Sequence, residues 1–569
     1  MPKILSARER WLVGGLIFII LFSVFSLAIK GYLNRTQVKA DLGGQYQEGI
    51  IGQPHYFNPV LAQANDADRD IVQIVFSGLL KYDGQGNLIP DLAQNYEIKE
   101  NGLVYDFFLK KDIKWHDKEP LTADDIIFTI KTIQDQDYKS PLKTNWGGVE
   151  VEKIDDLTVR FKLKNIYAPF LHSFTVGILP KHLWAGISPQ NFHLAEYNLK
   201  PIGSGPYKFK KITKNKAGAV QSLELERNKD FYGLKENESA PRKGPYLKKL
   251  IFRFYPNEEE GIKALNKKQV DGISLLSASQ EQTLRRRDLT IYQITLPQYY
   301  AVFFNQSQSK VLADKTVRLA LSYATDKKEI IERVFKGKAS AVDSPFLPGS
   351  PGYTSQTKIY DFALEHAKNI LEAEDWKDSD NDGIREKKIS GPGSTAEETK
   401  LEINLITTEW PGLKETAELL KTQWEKIGVK VNLEIVSFKT IEEEHIKPRQ
   451  YQALLFGEVL GADPDPFAFW HSSQKKDPGL NLALYNSKQA DKLLEDGRQT
   501  LDPAIRAQKY EEFQKLVVED APVIFLYSPT YLYRVIGKIK GINLERLALP
   551  SYRFSQIENW YINTDRVWK

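Results

Sequence analysis

Between Leu401 and Val436 the sequence changes its hydrophobic period twice. Leu401, Ile403 and Leu405 alternate with polar residues, as a strand with one buried face does. Leu413, Ala417, Leu420, Trp424 and Ile427 then recur at helical intervals, and Gly428 stands where a helix would stop. Val429, Val431, Leu433 and Ile435 alternate once more. Strand, helix, strand at this length implies a crossover between parallel strands, so this region is an α/β lobe.

Other stretches read as local elements. "YEIKENGLVYDFF" carries an Asn101-Gly102 hairpin turn, with Leu103, Tyr105 and Phe107 on one face of the second strand. "LTADDIIFTIKTI" opens with Thr122 and Asp125 at capping-box spacing, and Ile126, Ile130 and Ile133 follow at helical intervals. "LTVRFKL" (157–163) alternates as a half-buried strand. "DPAIRAQKYEEFQKLVVEDAP" (502–522) is a helix opened by Asp502-Pro503 and ended before Pro522. A strand-rich first half and an α/β second half predict two lobes, and 569 residues accommodate them. With 41% hydrophobic and 27% charged residues the chain folds rather than remaining disordered. Its net charge of +4 comes without a long basic block, so nucleic acid is not expected as a partner.

Trp11 to Ile29 is a different kind of segment, 19 residues without a charge. As a helix it is about 28 Å long at ~1.5 Å per residue, close to the thickness of a bilayer's hydrocarbon core. It has no polar face, which argues against a buried core helix. A membrane anchor is the expectation. Cleavage after the small-residue pattern Ser26-Leu27-Ala28 is the alternative. Lys3, Arg8 and Arg10 precede the span and Lys30, Arg35 and Lys39 follow it, so charge does not fix its orientation. Residues 30–43 read as a polar stalk.

The chemistry-bearing residues are notable for what they exclude. With no cysteine, the sequence offers no disulfide, thiolate metal site, cysteine nucleophile or lipid-bearing cysteine. The eight histidines show no metal-ligand spacing, and "EEEHIK" around His445 is not a zinc-protease helix. "IGSGPYK" (202–208) lacks the third glycine of a dinucleotide loop and reads as a tight turn. "DSDNDGIRE" (378–386) opens like a calcium loop, but Ile389 occupies the twelfth position, where a bidentate Glu belongs. No catalytic constellation, cofactor site or metal site is therefore expected. The remaining oddity is "GADPDPFAFWHSS" (461–473), where Asp463 and Asp465 sit on a proline-stiffened turn before aromatic residues. Carboxylates near apolar walls need a cation, which either the chain or a ligand must supply.

Several stretches occur together and in order: "FNPVLAQ" (57–63), residues 74–130, "PIGSGPYKFK" (201–210), "DKTVRLALSYATDKKEII" (314–331), "WKDSDNDGIREK" (376–387), "WEKIGVKVNLE" (424–434), "GADPDPFAFW" (461–470) and "EDAPVIFLY" (519–527). As a set they resemble the extracellular solute-binding proteins of family 5, the dipeptide-, oligopeptide- and nickel-binding components of ABC importers. The resemblance runs from about residue 44 onward.

It implies a mixed α/β, two-lobed clamshell with a discontinuous first lobe. The expected division is a cytoplasmic tail 1–10, a transmembrane anchor 11–29 and a stalk 30–43. Lobe I then comprises 44–80, 190–305 and 526–569, with an extension subdomain at 81–189, and lobe II comprises 306–525. The resemblance further implies a monomer held at the cell membrane by its N-terminal helix, lobes outside. Such a protein passes peptides to ABC transporter permease subunits and breaks no bond. Within the family the alternatives are a nickel complex or a sugar as solute; outside it, a tethered peptide chaperone or sensor without a transporter. In peptide-binding relatives an aspartate of this neighbourhood pairs with the peptide ammonium, and on this sequence it aligns with Asp463, flanked by Gly461 and Ala462. Relatives often carry tryptophan where this chain has Leu460. Trp410 and Tyr300 are expected as apolar walls.

Overall fold

The computed structural model describes residues 7–234, 244–274, 283–389 and 397–568. Two large sheets organise them. One has the strand order Leu289–Ile294, Tyr531–Ile536, Gly272–Ile273, Gln45–Ile51, Lys249–Tyr255, Val220–Arg227, Tyr207–Lys214. The other has the order Ala339–Ala341, Val523–Pro529, Gln298–Phe304, Ala453–Val459, Glu402–Thr408, Lys430–Val436. The chain leaves the first sheet at Ile294, enters the second at Gln298, and returns between Pro529 and Tyr531. Two such short crossings let lobes close as rigid bodies.

The crossover unit in the second lobe forms as its periodicity dictates. Glu402–Thr408 pairs in parallel with Lys430–Val436, and the helix Pro411–Glu425 connects them. Leu413, Ala417, Leu420 and Trp424 are buried on its inner face, and Gly428 ends the turn at φ 82°. The sheet is covered on both sides. Val302 and Phe304 pack with Leu420 and Trp424, while Tyr299, Ala301 and Phe303 pack with Trp470, Phe513 and Val517 on the opposite face.

In the first lobe, Ala93–Lys99 and Val104–Leu109 form the expected hairpin, with Asn101 and Gly102 both at positive φ. Asp106 is buried on the second strand beside Tyr105 and Phe107, because Arg160 donates to it at 2.6 and 2.8 Å and Lys99 at 2.8 Å. The Thr122–Asp125 capping box opens the helix Ala123–Gln134. Gly203 and Gly205 lie against the end of the helix Asp66–Val75, where a Cβ would come within 2.0 Å of Val75 O and 2.4 Å of Ile74 O. The tight turn is thus a close backbone approach. A buried polar node completes the lobe: Arg553 donates to Asp70 Oδ1 at 2.8 Å and Glu48 Oε1 at 3.2 Å. Tyr533 donates to Glu48 Oε2 at 3.1 Å. Burial outweighs Arg553 and raises the Glu48 carboxyl to about 7.

Three boundaries differ from expectation, the first being that residues 526–529, expected in lobe I, complete the strand Val523–Pro529 of the second sheet. The strand Gln298–Phe304, expected in lobe I, is hydrogen-bonded between Ala453–Val459 and Val523–Pro529 and so belongs to the second sheet. The segment 30–43 is not a free stalk. The apolar helix runs from Ala7 to Arg35, and Thr36–Ala40 then pairs antiparallel with Thr564–Trp568. Residues 1–6 of the expected cytoplasmic tail lie outside the described residues.

Candidate functional site

The parallel strands Glu402–Thr408 and Ala453–Val459 end side by side. In open α/β sheets this carboxyl edge is where ligands bind, because helix N-termini and loops converge there. A cavity of about 570 Å³ occupies it, with Tyr300, Trp410, Phe438, Phe456 and Val459 among its walls. Tyr300 stands at the start of its strand opposite Gly457, where a Cβ would come within 2.7 Å of the Tyr300 ring. Glycine there lets the ring lie across the neighbouring strand. Stacking on Tyr527 at 5.4 Å fixes the ring's other side, and burial raises its hydroxyl to about 12, so it remains a neutral donor. Trp410 precedes the helical Pro411 and reaches a ring distance of 6.3 Å from Tyr300. Phe438 and Phe456 close the far wall at 6.1 Å. Trp410 is 62% and Phe438 61% exposed, an unusual disposition for rings of this size.

The paired acids of the proline turn each meet a cation from the chain itself. Arg506 Nη2 donates to both oxygens of Asp463 at 2.6 and 2.7 Å, and the two side chains are only 9% and 10% exposed. His172 of the first lobe places Nε2 3.6 Å from Asp463 Oδ2, while its Nδ1 lies 2.7 Å from the Tyr82 hydroxyl. Burial pushes the Asp463 carboxyl up, but the contacts with His172 and Arg506 outweigh it and hold it below the ordinary aspartate value. Arg498 Nη2 donates to Asp465 Oδ2 at 2.8 Å. Its guanidinium lies over Phe467 at 4.1 Å and over Tyr167 of the first lobe at 5.1 Å. The turn is therefore a joint between the lobes.

Of the residues singled out from sequence, Tyr300 and Trp410 come together in one cavity. Gly461, at φ 79°, Ala462 and Asp463 lie on the turn beyond Val459, outside that cavity's lining. Leu460 is buried against the second lobe's core and donates its N–H to Pro297 O at 2.7 Å, tying the turn to the hinge. Phe438, Phe456, Arg506 and His172 were not anticipated. "VSFKT" placed an aromatic residue just past a strand end, and that was the available signal for Phe438. In the 378–386 loop, Asp378, Asp380 and Asp382 gather their carboxylates within 4.8 Å of one another. Lys400 pairs with Asp382 and lies 3.3 Å from Asp380.

Two lobes, two short crossings and an apolar cavity at the strand ends define a two-lobed binding protein. The family model described as bacterial extracellular solute-binding proteins, family 5 Middle, matches residues 87–481, and the chain belongs to that family. It is 29% identical over 534 residues to the oligopeptide-binding protein AppA of Bacillus subtilis (strain 168), covering 92% of each chain. The structure of AppA from Bacillus subtilis with a nonapeptide superposes with a TM-score of 0.72 over 92% of this chain and 100% of that one. NikZ from Campylobacter jejuni in complex with Ni(L-His) is 26% identical, with a TM-score of 0.72 over 91% of this chain and 99% of that one.

Proposed function

We propose that this chain captures peptides outside the cytoplasm and hands them to the permease subunits of an ABC importer, without breaking a bond. The observation that carries this reading is the Tyr300–Trp410–Phe438 cavity, whose size and apolar rings suit side chains of a peptide bound in extended form. Similarity to oligopeptide-binding AppA supports the same solute class. In this reading Trp410 and Tyr300 are specificity walls. Of the two acids in the cavity lining, Glu409 is exposed and Glu458 buried, so Glu409 is the one available to a ligand ammonium. The 461–463 turn serves lobe closure, since Arg506 already supplies the cation that Asp463 requires. The helix Ala7–Arg35 tethers the lobes to the membrane.

Native mass spectrometry of the purified protein, followed by calorimetry with the solute it carries, tests the proposal. Peptides with apolar side chains are the expected cargo, with affinity lost in Trp410→Ala. Recovery of a nickel complex or a sugar, with no heat from peptides, would overturn it.

A further inference from the structure

The apolar helix does not end in a loose linker. Tyr32 lies one turn beyond Ile29, and its ring packs edge-on against Trp568 at 6.0 Å. Arg566 holds the same junction, donating to Thr36 Oγ1 at 2.7 Å with its guanidinium 5.9 Å from the Tyr32 ring. The ribbon of Thr36–Ala40 and Thr564–Trp568 forms a sheet of its own; a hydrogen bond from Asp41 N–H to Asn563 O at 2.9 Å continues it, and one from Gly43 N–H to Tyr246 O at 2.8 Å joins it to the first lobe. Its outward apolar groups remain largely exposed: Trp568, covered by Tyr32 on one side only, is 68% and Val38 55% exposed. Lys30, Arg35, Lys39 and Arg566 lie within the helix end and ribbon that carry them, against Asp41 and Asp565.

We infer that this ribbon is a membrane-surface collar, with Trp568 and Tyr32 seated in the lipid interface and the basic groups facing anionic headgroups. The inference rests on retention of the anchor helix. Position decides the occupant. The uncharged span is close to one hydrocarbon thickness, so its end at Ile29 lies at the headgroup level. Tyr32, ~4.5 Å further along the helix, and the Trp568 it touches are then at the depth where tyrosine and tryptophan concentrate. Lysine and arginine there gain from a negatively charged leaflet. The collar would fix how the first lobe stands on the bilayer.

The absence of cysteine makes the test direct. Full-length Val38→Cys, Trp568→Cys and, as a distant control, Leu194→Cys are labelled with a fluorophore and reconstituted into phosphatidylglycerol-containing vesicles carrying a headgroup-level nitroxide lipid. Labels at 38 and 568 should be quenched at least about twofold more than the label at 194, an interface depth. Val38→Cys retains Trp568 and so guards against loss of the ribbon in the other variant. Equal quenching at all three positions, in protein shown by mass spectrometry to retain residues 11–29, would overturn the collar and leave the anchor standing. Protection of position 568 only when the permease is added would also overturn it. Mature protein lacking residues 11–29 would remove the reading on which it rests.

Discussion

Replacing Arg506 by methionine keeps the side chain's apolar stem and removes the cation bound to Asp463. With both groups about one-tenth exposed, the pair sits in a low-dielectric corner. Two unit charges ~4 Å apart interact by about 4 kcal/mol at an effective dielectric near 20. Breaking a buried pair from one side costs about 3–5 kcal/mol, because the surviving charge stays desolvated. His172, 3.6 Å away, remains as a partial partner, so about 2–4 kcal/mol is expected here. Asp463→Asn strands Arg506 in the same way. The double variant should cost well under the sum, with a coupling of about 2 kcal/mol or more.

Urea unfolding of the ligand-free protein, followed through tryptophan fluorescence, measures all four corners of that cycle. Calorimetry with one tripeptide in free and N-acetylated forms supplies the second readout. If Arg506 is the partner, destabilisation appears without ligand and the two peptide forms respond alike to Asp463→Asn. An unchanged unfolding midpoint in Asp463→Asn, with lost preference for the free ammonium, would refute the argument. It would return Asp463 to the ligand.

Trp410→Ala should weaken peptide binding by about 2 kcal/mol, roughly thirtyfold in Kd, with little change in stability because the ring is exposed; calorimetry and a melt on the same sample check both. Glu458, buried beneath Tyr299, has its carboxyl raised by burial to about 8 against an ordinary 4.5, the Tyr299 hydrogen bond lowering it only in part. The folded state then holds this proton more tightly, so the stability it brings is full below about pH 4.5 and lost as pH rises through about 8, at ~1.4 kcal/mol per pH unit as an upper bound. Glu458→Gln should flatten that slope in melts from pH 5 to 9, and an unchanged slope would count against it. Arg553→Met leaves Glu48 and Asp70 buried without their cation and should destabilise the first lobe by about 3–5 kcal/mol, measured by unfolding. Sub-millimolar calcium should not raise the melting temperature, since Lys400 already serves Asp380 and Asp382 and Ile389 stands at the twelfth position.

How far the fold can be read from the sequence depends on whether its signals are local. The crossover helix, the Asn101-Gly102 hairpin and the Thr122 capping box were legible because period, turn residues and cap spacing act within a few residues. "QYYAVFF" (298–304) was assigned to the wrong lobe for the opposite reason. Both of its faces are buried, so it carries no alternation, and the partners that fix its sheet lie more than a hundred residues away. The same divide runs through the proline turn. Pro464 and Pro466 lack backbone N–H groups, so the turn can offer its two acids few donors of its own; Asp465 takes one, from Phe467 N–H at 3.2 Å. A need for outside cations was thus written locally. Their identity was not, because Arg498 and Arg506 arrive from the later helices Lys488–Gln499 and Pro503–Asp520 and His172 from the other lobe. A ligand ammonium and an arginine satisfy the same local sequence equally well. What distinguishes them is that an arginine's contribution is present in the empty protein, whereas a ligand's can appear only on binding.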